Sequence, residues 1–464
     1  MDNTLTHMRT LLGEKKLSCF FISFFALTLW VSATATEFVL GDSFSLLDKI
    51  GNDEKKRQFA IDFLGSKTLK KGAIIRRGKK LAKGGYGIIY EGFCGDLNLI
   101  IKVVKSPEKL KGIQKELENS NAFMDALAQR FTQDDLNYGN LLGAAAIIVP
   151  VIGVTTDGSL IEEKIDGSNL EKITKNFIAP YDAPGGHPRD LQGAMERAAC
   201  FFLGLLTLHD LGFVHCDIKQ GNVMILNDAT WGYPCRIIDL GGLKKFGENV
   251  GIHSSNGAPE YIEQTCVIFT SKAEQKEIRE KLTKIKSQIQ NASNPEEIEG
   301  LKGQKHALKE QFKAIGDRIK LAESTRCSTA YPCYDIYSSA AILLSLLFGK
   351  NGVLFAKYLY FSSTKNPQDF KYIQMARNPN FNGDEYFKKK LNKLNELMQK
   401  ETGQAYPREI LGRLIKLQTG MSAFDSTKRP TAKEIFEELQ DMALADWKNG
   451  HYSIQWENSL PEKK

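Results

Sequence analysis

The period of the hydrophobic positions changes several times along this chain, and each change marks a boundary. A largely apolar run from Leu17 to Trp30 follows Arg9, Lys15 and Lys16 and precedes Ala33-Thr34-Ala35. A basic start, a short apolar stretch and small residues are the three parts of an export leader, so a signal peptide over 1–35, cleaved after Ala35, is expected. The alternative is an uncleaved anchor, because the run through Val31 approaches the length of a short membrane span. Residues 36–75 mix apolar and basic positions and are expected to form a short helical extension. From Lys79 to Lys105 the order KKLAKGGYGIIYEGFCGDLNLIIKVVK reads as strand, glycine turn, strand, turn, strand, an antiparallel meander. Helical spacing from Pro107 to Arg130 and apolar runs at Ile147–Val154 and Leu160–Ile165 add one helix and two strands. A five-stranded lobe with one helix over about 76–165 results.

Helical patterns dominate beyond Asp166, notably Asp190–Leu211, Asp335–Phe348 and Thr431–Ala443, and predict a larger helical lobe over about 166–445 before a polar tail at 446–464. Within it, Ile278, Leu282, Ile285 and Ile289 recur at spacings of four and three, the seam of a coiled-coil-like pair. Ile298, Leu301, Leu308, Phe312, Ile315 and Ile319 form the matching stripe, and Asn294-Pro295 is a natural helix start. A helical hairpin is therefore expected at about 270–324, with Lys305 interrupting its seam. The fold class is α+β and bilobal.

A hydrophobic share of 42% and a charged share of 25% are those of an ordinary globular protein and point to neither a disordered chain nor a multispanning membrane protein. The formal charge of +7 is modest at 464 residues and its lysines are interspersed with acids, so no nucleic-acid partner is inferred. Membrane contact is expected only through the leader. Without Cys19 of the apolar run, seven cysteines remain, an odd number with neither zinc spacing nor a disulfide ladder. They are expected mostly as small apolar core residues, with Cys327 and Cys333 the one conceivable pair.

The chemistry-bearing residues come in a fixed order. Leu81, Ala82, Lys83, Gly84, Gly85, Tyr86, Gly87, Ile88 and Ile89 form a glycine-rich turn between strands, where absent side chains let backbone amides approach phosphate oxygens. Alone, this is an ordinary hairpin turn. Lys102 then lies in a β-branched strand, LIIKVV, where burial demands a partner charge. The following helix offers Glu116 and Glu118, of which spacing selects Glu118. HCDIKQGNVMIL, from His215 to Leu226, places Asp217, Lys219 and Asn222 between a helix and a strand, a poor recipe for a core and a good one for a polar site.

That string resembles the catalytic loop of the eukaryotic-like protein kinases, HRDLKxxN followed by an apolar strand, with Cys216 where arginine is usual. The resemblance spans about residues 79–443. It implies that Asp217 orients the acceptor hydroxyl and receives its proton, that Lys219 steadies the γ-phosphate, that Lys102 reaches the α- and β-phosphates, and that Asn222 holds a metal ion. Asp239 in IIDLGG occupies the family's DFG slot and becomes the principal Mg²⁺ ligand, Mn²⁺ being a possible substitute. NGAPEY resembles the APE segment, whose Glu260 is expected to pair with Arg429, and Asp335 resembles the aspartate that caps amides of the catalytic loop. Glu162 falls at the position guarding the back of the nucleotide pocket, with Glu163 and Lys164 in the hinge. Ala82 for the first glycine and Cys216 for arginine are the main departures. The latter disfavours switching by a phosphorylated activation loop.

The implied activity is ATP- and Mg²⁺-dependent phosphorylation of protein serine or threonine, with Lys219 favouring those acceptors over tyrosine. Two rivals are a pseudokinase binding module and a small-molecule kinase of the aminoglycoside or choline type. The APE-like segment and Arg429 speak against the second. The hairpin either recruits a substrate or regulator or is a solvated decoration.

Overall fold

Alternation of apolar and polar residues builds the first lobe. The structure, a computed structural model, describes residues 37–43, 69, 71–83, 87–104, 106–133, 144–172, 190–227, 234–250, 259–325, 329–360, 375 and 381–447. The expected leader, Cys327 and the tail beyond 447 lie outside them. Strand β1 (Glu37–Ser43) is followed by β2 (Ile74–Lys83), β3 (Gly87–Cys94) and β4 (Leu97–Val104). After helix α1 (Pro107–Gln133) come β5 (Gly153–Thr155) and β6 (Leu160–Glu163). All pairings are antiparallel, and the order β1-β2-β3-β4-β6-β5 closes into a barrel.

Closure corrects two expectations. The stretch read as a helical extension begins with a strand, and the lobe has six strands rather than five. The physical reason is the two-residue period of Phe38 and Leu40, both buried among Leu69, Ile75, Leu99, Ile101, Val103 and Ile161, while Val39 between them is exposed. β1 bonds to β2 on one side and β5 on the other, which covers edges that an open sheet would present. The strand expected at Ile147–Val154 is also shorter. Ile148 makes only an isolated parallel bridge to Ile237, tying the two lobes together.

The larger lobe contains β7 (Gly167–Asn169), α2 (Leu191–Asp210), β8 (Phe213–Val214), β9 (Val223–Leu226), β10 (Cys235–Ile237) and β11 (Lys244–Lys245). α2 is capped by Asp190, whose carboxylate accepts the Gly193 amide. β7, β9 and β10 form a small sheet, and β8 pairs with β11. Then follow α3 (Pro259–Asn291), α4 (Pro295–Thr325), α5 (Pro332–Tyr360), α6 (Gly383–Thr402), α7 (Arg408–Met421) and α8 (Ala432–Trp447). α5 is apolar around its circumference and buried on nearly every face, as such a helix must be. It breaks at Gly349, whose φ of 53° is left-handed.

α3 and α4 form the expected hairpin, with Ile278, Ile315 and Ile319 buried against Leu282, Leu308 and Phe312. α3 starts at Pro259 and so runs unbroken from the APE-like segment into the hairpin, earlier than the expected boundary near 270. Asn294 starts α4 by accepting the Glu296 amide at 3.0 Å.

Candidate active site

The site is assembled where the two lobes meet. Lys102 stands on β4 between Ile101 and Val103, which point into the barrel, so its own side chain takes the opposite face. Its ammonium meets Glu116 of α1 at 2.5 Å and Glu162 of β6 at 2.6 Å. Glu118, the residue selected from spacing, is exposed and is not the partner. The reason is helical phase. Glu116 shares the buried stripe of Ile113, Ser120, Phe123 and Leu127, whereas Glu118 lies off that stripe.

Both glutamates are only 6% exposed. Burial opposes the charge on Lys102, but Glu116, Glu162 and Asp239 around it hold its ammonium well above the ordinary lysine range. Burial pushes Glu116 up to about 8, reinforced by Glu162 and Asp239 and opposed by Lys102. For Asp239 burial acts upward, yet Lys102, Lys219 and His215 together with the Gly241 amide bring it below the usual carboxylate range.

α1 also reaches the second lobe. Asn119 donates its Nδ2 to the Leu240 carbonyl at 2.8 Å and to that of Gly241 at 3.2 Å, joining the helix of Glu116 to the turn that carries Asp239. Sequence reasoning passed over Asn119, although it follows Glu116 by three positions and therefore shares its face.

The loop after β8 is braced from below by Asp335, which is fully buried. Its Oδ2 accepts the His215 amide at 2.7 Å and its Oδ1 the Cys216 amide at 2.9 Å, while His209 Nε2 lies 3.2 Å from Oδ2. These bonds hold Cys216 at a φ of 61°, a left-handed conformation that a non-glycine residue keeps only when its surroundings fix it. Burial pushes the Cys216 thiol far up, so it is an inert spacer and not a nucleophile.

From this anchored backbone Asp217 projects with its carboxylate ion-paired to Lys219. Asn222 donates Nδ2 to the Asp217 carbonyl at 2.9 Å and to its Oδ2 at 3.1 Å. That leaves the Asn222 Oδ1 as an oxygen acceptor on the same side chain. The Ile238 amide bonds to the Asn222 carbonyl at 3.0 Å, which sets Asp239 beside the loop. Asp239 has a φ of 68° and accepts the Gly241 amide at 3.3 Å. Gly242 lets the turn close. A Cβ there would stand 2.8 Å from the His215 carbonyl and 3.1 Å from the Asp217 Cβ.

Lys102, Asp217, Lys219, Asn222 and Asp239 are thus linked by bonds or by mutual charge effects. Of the glycine-rich turn, Leu81, Ala82 and Lys83 end β2 exposed, while Gly87, Ile88 and Ile89 begin β3. Gly84, Gly85 and Tyr86 lie outside the described residues. So does the Glu260 side chain, and Arg429 donates to the carbonyls of Ala423, Cys333 and Phe424. In the expected hinge, Lys164 bonds Glu91 at 2.8 Å and donates its amide to the Asn98 carbonyl.

Among the described residues no group of three His, Cys, Asp or Glu side chains forms a metal cage. Asp239 and the Asn222 Oδ1 are hard oxygen donors, which fit a divalent cation that keeps water among its ligands.

The architecture is a bilobal, kinase-like α+β fold. No protein-family model matches the chain. Curated relatives do: it is 26% identical over 214 residues to a mitogen-activated protein kinase kinase kinase of Aspergillus fumigatus, which covers 43% of this chain and 12% of the relative. It is 24% identical over 192 residues to mitogen-activated protein kinase kinase kinase 1 of Arabidopsis thaliana, covering 40% of this chain and 28% of that protein. With serine/threonine-protein kinase mos of Nycticorax nycticorax it shares 27% over 178 residues, 37% of this chain and 82% of that one. The relatives supporting a place in the protein-kinase superfamily are thus Ser/Thr protein kinases, at low identity.

Proposed function

We propose that this protein is an exported protein kinase that transfers the γ-phosphoryl group of ATP to a serine or threonine hydroxyl of another protein. The observation that carries the reading is Asp217, held by an Asp335-anchored backbone and surrounded by Lys219, Asn222 and the Asp239 turn. Similarity to Ser/Thr protein kinases supports the same chemistry. Export rests on the leader pattern in residues 1–35.

The roles divide by charge. Asp217, acceptor-only when ionised, orients the substrate hydroxyl and takes its proton as the oxygen attacks phosphorus. Lys219 sits beside that carboxylate and offers its ammonium to the transferred phosphoryl oxygens. Lys102 contributes positive charge toward the remaining phosphates and is aligned by Glu116. Asp239 and Asn222 would hold Mg²⁺, which supplies neutralisation of phosphate charge when bound.

Transfer of radiolabelled γ-phosphate to the protein itself and to a generic basic protein tests this. Wild type is expected to label serine or threonine, and Asp217→Ala to label at least about a thousandfold more slowly. A folded wild type that binds ATP yet labels no faster than the variant contradicts the proposal.

A further inference from the structure

Lys102 has one carboxylate more than phosphate binding requires. The Glu162 Cα pairs with that of Ile100 and the Lys102 Cα with that of Leu160, so the two side chains are diagonal neighbours on one face of the sheet. Glu162 closes to 2.6 Å of the Lys102 Nζ while Glu116 approaches the same atom from α1 at 2.5 Å. Lys102 is the one ion-pair partner of Glu162 among the described residues. Asp239 adds a third carboxylate to the field on Lys102. The cleft therefore gathers three carboxylates around one ammonium in a low-dielectric setting, where like charges repel strongly. A nucleotide triphosphate would enter that field with more negative charge and compete with Glu162 for one ammonium.

We propose that Glu162 is a positioning residue that holds Lys102 in the nucleotide-free protein and opposes entry of any nucleotide not accompanied by a divalent cation. The inference rests on the reading of the cleft as an ATP site. Glu116 comes from the helix that also grips the Asp239 turn through Asn119, so it remains with Lys102 when phosphates arrive. Glu162 is the partner that yields. A neutral or apolar side chain at this position removes both the competing acceptor and the repelling charge.

Calorimetric titration of the full chain with metal-free ATP and with Mg·ATP, alongside Glu162→Gln, Glu162→Met and Glu162→Asp, tests this. Wild type is expected to bind metal-free ATP at least about a hundredfold more weakly than Mg·ATP. Glu162→Gln and Glu162→Met are expected to bind metal-free ATP roughly tenfold more tightly than wild type, narrowing that ratio. Their KM for ATP falls without a matching change in kcat, and Glu162→Asp, which keeps the charge, restores the wild-type ratio. A merely structural role would lower the melting temperature and leave the ratio where it was, and that result overturns the inference. Should neither neutral variant fold, wild-type affinities for the two forms that agree within about threefold overturn it as well. Absence of nucleotide binding in wild type and all variants overturns the ATP reading itself, and this inference with it.

Discussion

The cleft between the lobes and the helical hairpin both carry opposed charges, on opposite terms. In the cleft the Lys102 side chain is 16% exposed and the side chains of its glutamates 8%, so these groups have lost most of their water. On the hairpin Arg318 pairs with Glu274 at 49% and 47% exposure, and Lys281 pairs with Glu277 at 56% and 66%. Exposed pairs of this kind contribute little, and screening weakens them further. Buried charges cost folding energy unless every partner is present, so a fold retains them where chemistry needs them. The difference separates an exposed charged surface from a buried charged cluster.

Breaking a buried anchor should have the largest effect. Asp335→Ala leaves the His215 and Cys216 amides without their acceptor inside the large lobe, and a loss of about 3–5 kcal/mol is expected in urea unfolding. A loss under about 1 kcal/mol would mean that Asp335 does not brace the loop. Next in size, Leu40→Ala removes an inward residue of the strand that closes the barrel and should lower stability by about 2–5 kcal/mol. Little change there would show that β1 packs loosely.

Acidity gives a third comparison. Glu116 titrates at about 8 in the folded protein against an ordinary value of 4.5, so between these values the folded state keeps a proton that the unfolded chain has released. Its contribution to stability is present below about pH 4.5 and lost as pH rises through about 8. Urea midpoints across that range should fall for wild type and fall less for Glu116→Gln; equal slopes would remove Glu116 from the account. The smallest effect belongs to the hairpin. Arg318→Ala should change the urea midpoint by less than the equivalent of about 1 kcal/mol, and a larger loss would make the hairpin pair more than surface charge.

Much of this was legible in the sequence because the relevant residues are close together. Asp217, Lys219 and Asn222 fall within one short loop that local pattern marks as a polar site, and the resemblance to the kinase family adds Asp239 at the end of an apolar strand. What escaped depends on distance or on phase. β1 was read as helical because its period-two signal is only a few residues long, and its partners at 74–76 and 153–155 are remote in sequence. Glu116 and Glu118 differ by two positions, and only the apolar stripe of Ile113, Phe123 and Leu127 tells them apart. The second partner of Lys102, Glu162, becomes visible once β6 is set against β4 in register.

On the function proposed above, the buried charges between the lobes form a site for a nucleotide and its cation. Thermal unfolding of wild type and Asp239→Asn with and without Mg·ATP tests it most directly. A ligand that binds only the folded state raises the melting temperature. A clear rise is expected for wild type with Mg·ATP and little or none for Asp239→Asn, while an equal rise in both proteins, or none in wild type, would refute the site.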